Sequence, residues 1–128
     1  MPRPSVQQYR EAEILTASPG RLLVITYDAL LAAMTRARVG IAMKDEQVTS
    51  SGLDRARGLL GELLATLDHS VGGDLSKQLS ALYVFLLTEM GSVALRGDVN
   101  MLDRHIHIVR ELRDAWVQIQ DTPQRLAS

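Results

Sequence analysis

The most constraining feature of this sequence is a long amphipathic helix whose start and period can both be recognised. Ser18 is a good N-cap, and Pro19 suits the first helical position because the N–H group that it lacks would have no partner there. Apolar side chains then recur every three or four residues, at Leu23, Tyr27, Leu30, Met34, Ala37 and Ile41. This pattern predicts a helix from about Pro19 to Met43 with one apolar face, which other helices have to cover.

Breaks in the apolar pattern divide the remaining chain into three further helices. A polar connection at 44–47 follows the first helix, and the consecutive Gly72 and Gly73 provide the positive φ angles typical of a helix end. Gly97 ends one helix and Asp98 caps the next, in a tight turn. The second helix is predicted to end near Leu67, the third to span about Leu75–Arg96, and the fourth to span about Val99–Gln120, with Pro123 opening a tail.

Four long helices with short connections predict an all-α fold, an antiparallel four-helix bundle. The predicted organisation is an N-terminal leader at 1–17, the bundle at 18–121 and a C-terminal tail at 122–128. The leader is polar and its apolar residues are too sparse to hold a stable helix alone. We therefore expect it to be flexible and able to pack on the bundle as a lid.

Composition excludes several classes of protein. The chain has no cysteine, which excludes disulfides, thiolate catalysis and Cys-ligated zinc and is typical of a reducing compartment. Its 14 basic and 15 acidic residues leave a net charge of −1, which argues against a nucleic-acid partner. Its apolar runs are far shorter than the roughly 20 residues of a membrane span. We predict a cytoplasmic protein with no membrane insertion.

No residue constellation points to catalysis, a cofactor or a metal ion. His105 and His107 are two positions apart, so on a helix they point to different sides. The chain also lacks a Glu-x-x-His pair, a GxGxxG motif and a P-loop lysine. His105 lies within the apolar arc of the fourth helix, where we expect a partly buried, hydrogen-bonded imidazole. The sequence predicts a protein that is not an enzyme and that needs no cofactor.

The third helix carries more apolar surface than the core of a simple bundle needs. On a helical wheel it has one stripe that we expect to face the interior and a second stripe beside it. The first stripe is Leu75, Leu79, Leu82, Leu86 and Val93, and the second is Tyr83, Leu87, Met90 and Ala94. The second stripe either fills the core between neighbouring helices or lines an outer groove that receives an amphipathic segment of a partner.

Two further features bear on the choice between core and groove. Gly58 and Gly61 favour a groove, because their missing side chains let another backbone come close. Trp116 either closes the end of the core or forms an aromatic wall of the groove. Periodicity leaves both interpretations open. The residues that we predict to line the groove are Leu60, Leu64, Leu79, Tyr83, Leu87, Met90, Ile106 and Trp116.

A series of short motifs extends along most of the chain. They are Tyr9, Thr16-Ala17-Ser18-Pro19, Tyr27-Asp28, Gly72-Gly73-Asp74, Leu79-x-x-Leu82-Tyr83-x-Phe85-Leu86 and Glu111-Leu112-Arg113-Asp114-Ala115-Trp116. In order and spacing they resemble the FliS family of flagellar secretion chaperones. Ala29, Gln78 and Phe85 depart from the family pattern, in which Gly, Asn and Tyr are usual at these positions.

The resemblance implies a cytoplasmic export chaperone whose client is the C-terminal segment of flagellin. Such proteins wrap this disordered segment around the bundle, prevent its premature polymerisation and deliver it to the flagellar type III export gate. It also implies that Val6, Tyr9 and Ile14 form a lid over the groove and dock to the cytoplasmic domain of the gate once the chaperone is loaded. The free protein is then expected to be a monomer or a weak dimer.

A second interpretation assigns the extra apolar surface to self-association. The chain would then be a non-catalytic helical-bundle regulator or a homodimeric structural protein. Light scattering distinguishes the two, because the chaperone interpretation expects a monomer that forms a 1:1 complex with the flagellin segment.

Overall fold

Four long helices form the fold, as the computed structural model shows for residues 5–9, 11, 18–67 and 69–127, with side chains described at 5–9, 11, 18–67 and 73–120. A short helical turn at 6–9 precedes them. The predicted all-α class is confirmed. The helices are α1 at Pro19–Ala42, α2 at Glu46–Ala65, α3 at His69–Arg96 and α4 at Val99–Ala127.

The four helices surround one core in the order α1, α2, α3, α4. Each helix packs against the helices before and after it in this ring, and the contact between α3 and α4 is the least extensive of the four. Among the side chains that the structure describes, two ion pairs join α1 to α4. Arg38 Nε lies 2.5 Å from Asp103 Oδ1, and Arg113 Nε lies 2.8 Å from Asp28 Oδ1. Because Arg38 follows Asp28 by ten residues while Asp103 precedes Arg113 by ten, α1 and α4 run antiparallel.

The helix starts follow the capping signals in the sequence. Ser18 Oγ accepts a hydrogen bond from the Arg21 N–H at 3.2 Å, which confirms the predicted cap of α1. Asp98 Oδ1 accepts one from the Met101 N–H at 3.1 Å at the start of α4. Gly97 has a φ of 61°, a conformation that glycine adopts without the steric cost of a Cβ. The tight turn between α3 and α4 therefore forms as predicted.

Two helix ends differ from the sequence prediction. The α3 helix begins at His69, and the expected break appears within it as a kink at Gly73, where φ is 52° and ψ is −125°. The α4 helix continues through Pro123 to Ala127 instead of ending near Gln120. A proline removes its own N–H from the helix and its ring crowds the carbonyl four residues earlier, so it disfavours a helix interior without excluding it.

Two glycines let α1 and α2 pack with their backbones almost in contact. A Cβ built on Gly52 would lie 2.6 Å from the Ala37 N atom and 2.7 Å from the Ala33 O atom, and one built on Gly40 would lie 2.5 Å from the Thr49 N atom. The apolar stripe of α1 is buried in this half of the bundle as predicted. Its members Tyr27, Leu30, Met34 and Ala37 are inaccessible to solvent, and Leu23 and Ile41 are partly buried against the core.

Candidate functional site

The buried face of α3 takes residues from both of the predicted stripes, so the two-stripe assignment is wrong. Tyr83 and Met90, expected on the flanking stripe, are completely or almost completely buried, whereas Leu75, expected inside, is exposed. A helical wheel groups residues by angle but does not fix the direction of the core, which lies between the two groups. The buried positions are Ser76, Leu79, Tyr83, Leu86, Met90 and Val93.

Most of the predicted groove residues lie in the interior of the bundle. Five are buried, and three are partly buried and pack against the core. The five do not form an exposed groove in this structure, because neighbouring helices cover them. Their contact with a partner stays a prediction. The buried residues are Leu60, Leu79, Tyr83, Met90 and Ile106, and the partly buried ones are Leu64, Leu87 and Trp116.

A pair of tyrosines explains why Tyr83 faces inward. The Tyr27 and Tyr83 hydroxyl oxygens lie 2.5 Å apart, so a hydrogen bond joins the diagonally opposed helices α1 and α3. Burial raises the pKa of both phenols, which therefore remain neutral. A tyrosine can be buried when its hydroxyl finds a partner, and here each ring provides that partner for the other. Because the Tyr83 hydroxyl has this buried partner, it does not need to reach solvent, and the side chain points inward.

We expect the loss of this hydrogen bond to be measurable. In Tyr83→Phe the Tyr27 hydroxyl stays buried without its partner, and the free energy of unfolding should fall by about 1–3 kcal/mol. Adding Tyr27→Phe removes the orphaned hydroxyl, so the double variant should recover much of that loss. Urea unfolding of the wild type, Tyr27→Phe, Tyr83→Phe and the double variant provides the double-mutant cycle. Equal and additive losses would show that the two hydroxyls are not coupled.

The outer face of α3 is uncharged over most of its length. Between Gln78 and Leu95 the only charged residue is Glu89, which is partly buried. The outer faces of α2 and α4, in contrast, carry exposed acidic and basic side chains along their length. Leu95 is 90% exposed, and Val84 and Phe85 are 48% and 45% exposed. The members of this uncharged outer face are Gln78, Ala81, Val84, Phe85, Thr88, Ala94 and Leu95.

Apolar composition on both sides makes α3 unusual among the helices of this bundle. By length and composition the segment Gly73–Arg96 would suffice to cross a membrane, with a mean hydropathy of 1.4 over its most apolar window. Its inward side packs in the core of the bundle, as in a core helix of a globular protein. The high mean hydropathy of α3 comes from its outward side, which is apolar where a bundle helix normally carries charged residues. Exposed apolar side chains on the outer side of a helix make it a candidate interaction surface.

A second apolar region lies between the N-terminal half of α1 and the C-terminal end of α2. It is an open cavity of about 510 Å³ lined by four leucines, by Pro19 and Tyr83, and by the polar residues Thr26, Glu62 and Thr66. Gly58 and Gly61 of α2 have open space beside them, so no described part of this chain approaches their backbone. The leucines that line the cavity are Leu22, Leu23, Leu63 and Leu67.

The predicted lid residues lie apart from these surfaces where they are described. Val6 and Tyr9 have exposed side chains in the helical turn at 6–9, and Ile14 lies outside the described residues. Trp116 packs against the end of the core near Tyr27, as one of the two interpretations expected. Its Nε1 atom is buried and makes no hydrogen bond of good geometry with the described part of the chain.

His105 differs from the sequence expectation in one respect. Its ring is buried, but neither Nδ1 nor Nε2 has a hydrogen-bond partner among the residues that the structure describes. The ring instead meets the edge of Phe85 at a centroid distance of 5.6 Å and an interplanar angle of 82°. Burial lowers the pKa of this histidine. Within the described ranges, no group of three or more His, Cys, Asp or Glu side chains is placed to hold a metal ion.

Comparison with known proteins identifies a family that covers almost the whole chain. The family model described as "Flagellar protein FliS" matches residues 2–123. The chain is 27% identical over 110 residues to the flagellar secretion chaperone FliS of Salmonella typhimurium, covering 85% of this chain and 82% of that protein. It is 26% identical over 121 residues to FliS of Vibrio cholerae, covering 91% and 89%. It is 28% identical over 118 residues to the flagellar secretion chaperone FliSB of Pseudomonas aeruginosa, covering 88% and 92%.

Proposed function

This chain belongs to the FliS family of flagellar proteins, and on that premise we propose that it is a non-catalytic flagellar secretion chaperone that works in the cytoplasm. The relatives that match most of its length are named for this role. The observation from this chain that carries the proposal is the uncharged outer face of α3. An apolar surface on the outside of a bundle serves a protein that covers the apolar segment of another.

The proposed client is the C-terminal segment of flagellin. A segment that is disordered as a monomer can form an amphipathic helix when an apolar surface receives one of its faces. The outer face of α3 offers exposed apolar side chains at the adjacent Val84 and Phe85 and, about three helical turns further on, at Leu95. Covering this segment keeps it from polymerising before export.

The architecture of the surface is suited to reversible binding. A disordered client loses conformational entropy when it orders on the chaperone, and this loss offsets much of the gain from apolar burial. The chaperone itself needs no rearrangement, because Val84, Phe85 and Leu95 are already exposed. Reversible binding is required of a protein that later has to release its client to the secretion apparatus.

We assign the predicted groove residues two roles according to their burial. Leu64, Leu87 and Trp116 are partly buried, so a client helix lying beside them gains contacts at the edge of the site. The five buried residues, including Leu60 and Ile106, support the helices that carry the surface. They contact the client only if the bundle rearranges.

The leader is proposed to deliver the loaded chaperone to the export gate. Val6 and Tyr9 are exposed, so a second partner can reach them, and Ile14 completes the apolar set by sequence. In this proposal the cytoplasmic domain of the gate recognises only the loaded complex. Because the leader is already accessible without the client, that selectivity requires the gate to contact the bound client together with the leader.

A matched pair of valines tests the proposed function. Val84→Ser should weaken binding of the flagellin C-terminal segment by about 1–2 kcal/mol, or roughly tenfold, because an apolar contact is lost. Val39→Ser is the control, since Val39 is 44% exposed on α1, diagonally opposite, against 48% for Val84. Isothermal titration calorimetry measures both affinities, and thermal unfolding checks that the two variants are equally stable.

Three outcomes would count against this assignment. Failure of the wild-type protein to bind the segment contradicts the chaperone proposal itself. Equal affinity of the two valine variants moves the site away from α3. A concentration-dependent dimer in light scattering that Val84→Ser abolishes would favour the self-association interpretation instead.

A further inference from the structure

His105 occupies an unusual place for an ionisable side chain. It is only 5% exposed, and both ring nitrogens are enclosed without a hydrogen-bond partner among the described residues. A neutral imidazole in this place leaves its polar atoms unpaired, and a charged imidazole would also be desolvated. In the folded protein, burial of the charged imidazole is therefore much less favourable in free energy than burial of the neutral one.

The ring lies at the least extensive helix contact of the bundle. His105 is on α4, and the contact between α3 and α4 is less extensive than the three other contacts between neighbouring helices. Phe85 on α3 meets the imidazole edge to face, and the same Phe85 side chain is 45% exposed on the uncharged outer face. One aromatic ring thus separates the buried histidine from the proposed client surface.

The charges around the imidazole do not provide a partner for its protonated form. Glu89 on α3 attracts a positive charge at His105 and Arg104 on α4 repels it, while burial is the dominant influence and lowers the pKa. On the α1 side, Arg38 is paired with Asp103 of α4. A proton on His105 therefore finds no hydrogen-bonding acceptor unless α3 and α4 separate enough to admit water or the Glu89 carboxylate.

We propose that protonation of His105 loosens the contact between α3 and α4 and releases the client held on the outer face of α3. This inference rests on the proposed function, because it concerns the regulation of the same surface. A client helix that covers Phe85 seals the imidazole further from water. Binding of the client and binding of the proton then oppose each other, and the coupling is reciprocal.

The direction of the pH effect follows from the lowered pKa in the folded state. Below about pH 6.5, the usual value for histidine, the unfolded chain binds more protons than the folded chain. The stability that the neutral ring contributes is present above this pH and is lost as the pH falls towards the folded-state pKa. By the same argument, the affinity for a client that favours the neutral ring falls on acidification.

The test compares the wild-type protein with His105→Leu and His107→Gln between pH 7.5 and pH 5.0. His107 is the matched control, because it lies two residues away but is exposed beside Glu111. Calorimetry with the flagellin C-terminal segment should show about a fivefold loss of affinity on acidification for the wild type and for His107→Gln. The loss should be less than twofold for His105→Leu. His105→Gln, which stays neutral over this range, provides a second variant if the leucine does not fold.

Nuclear magnetic resonance of the imidazole gives an independent readout. The pKa of His105 should be lower in the complex than in the free protein. Absence of binding at pH 7.5 overturns the proposed function and the release mechanism with it. Binding whose pH dependence persists unchanged in His105→Leu and His105→Gln overturns only the role of His105.

Discussion

Met90→Ala should lower the free energy of unfolding by about 2–5 kcal/mol. The Met90 side chain is inaccessible to solvent in the core of the bundle, so truncation removes buried apolar contacts and leaves a cavity that the surrounding helices fill only in part. Urea unfolding followed by circular dichroism measures the change. The midpoint should fall without a change in slope, because the surface exposed on unfolding stays nearly the same.

Leu95→Ala on the same helix is the matched control. Its side chain is almost entirely exposed, so the free energy of unfolding should change by no more than about 0.5 kcal/mol. The comparison also separates the observed orientation of α3 from the two-stripe prediction, under which Met90 faces a groove and its truncation spares stability. A small effect of Met90→Ala on the free energy of unfolding would instead support the orientation in which Met90 faces a groove.

Gly52→Ala should destabilise the protein by about 1–3 kcal/mol, although alanine is the better helix former. The added methyl would meet the backbone of α1 at Ala33 and Ala37, which cannot move aside as a flexible side chain can. The helices α1 and α2 would have to separate, which costs more than the roughly 1 kcal/mol gained in helix propensity. Thermal unfolding monitored by circular dichroism measures the net effect.

Gly58→Ala on the same helix makes the comparison specific. No atom lies within 4 Å of a Cβ built at Gly58, so this variant should be stabilised by up to about 1 kcal/mol. A stabilising effect at both positions would mean that α1 and α2 are not in close backbone contact at Gly52. Substitution at Gly58 should also leave client binding unchanged if the client lies on α3.

The sequence was sufficient for the elements of the fold. Ser18 and Pro19 identify the start of α1, and the regular spacing from Leu23 to Ile41 identifies its buried side, because capping and periodicity are local properties. The predicted tight turn at Gly97 is also confirmed. The sequence does not determine where α3 begins and α4 ends, because a helix can kink at a glycine such as Gly73 or continue past a proline such as Pro123.

The orientation of α3 and the state of His105 were beyond the reach of sequence patterns. Both sides of α3 are apolar, so the direction of the core depends on how neighbouring helices pack. The inward position of Tyr83 depends on the hydroxyl of Tyr27, which lies on α1 and precedes Tyr83 by 56 residues in the sequence. Periodicity placed His105 on an apolar arc, but whether a buried nitrogen finds a partner is decided by the other helices.

The helix pairs of the bundle are packed unequally. The α1–α2 pair forms a closely packed frame, and the α3–α4 side is packed less closely. The helices α1 and α2 are joined by close backbone approach at Gly40 and Gly52, while α3 and α4 make the least extensive contact. Local openings draw on the least stable contacts of a fold, so the side proposed to hold the client can loosen while α1 and α2 stay packed. Repeated loading and release would then not require the chaperone to refold between clients.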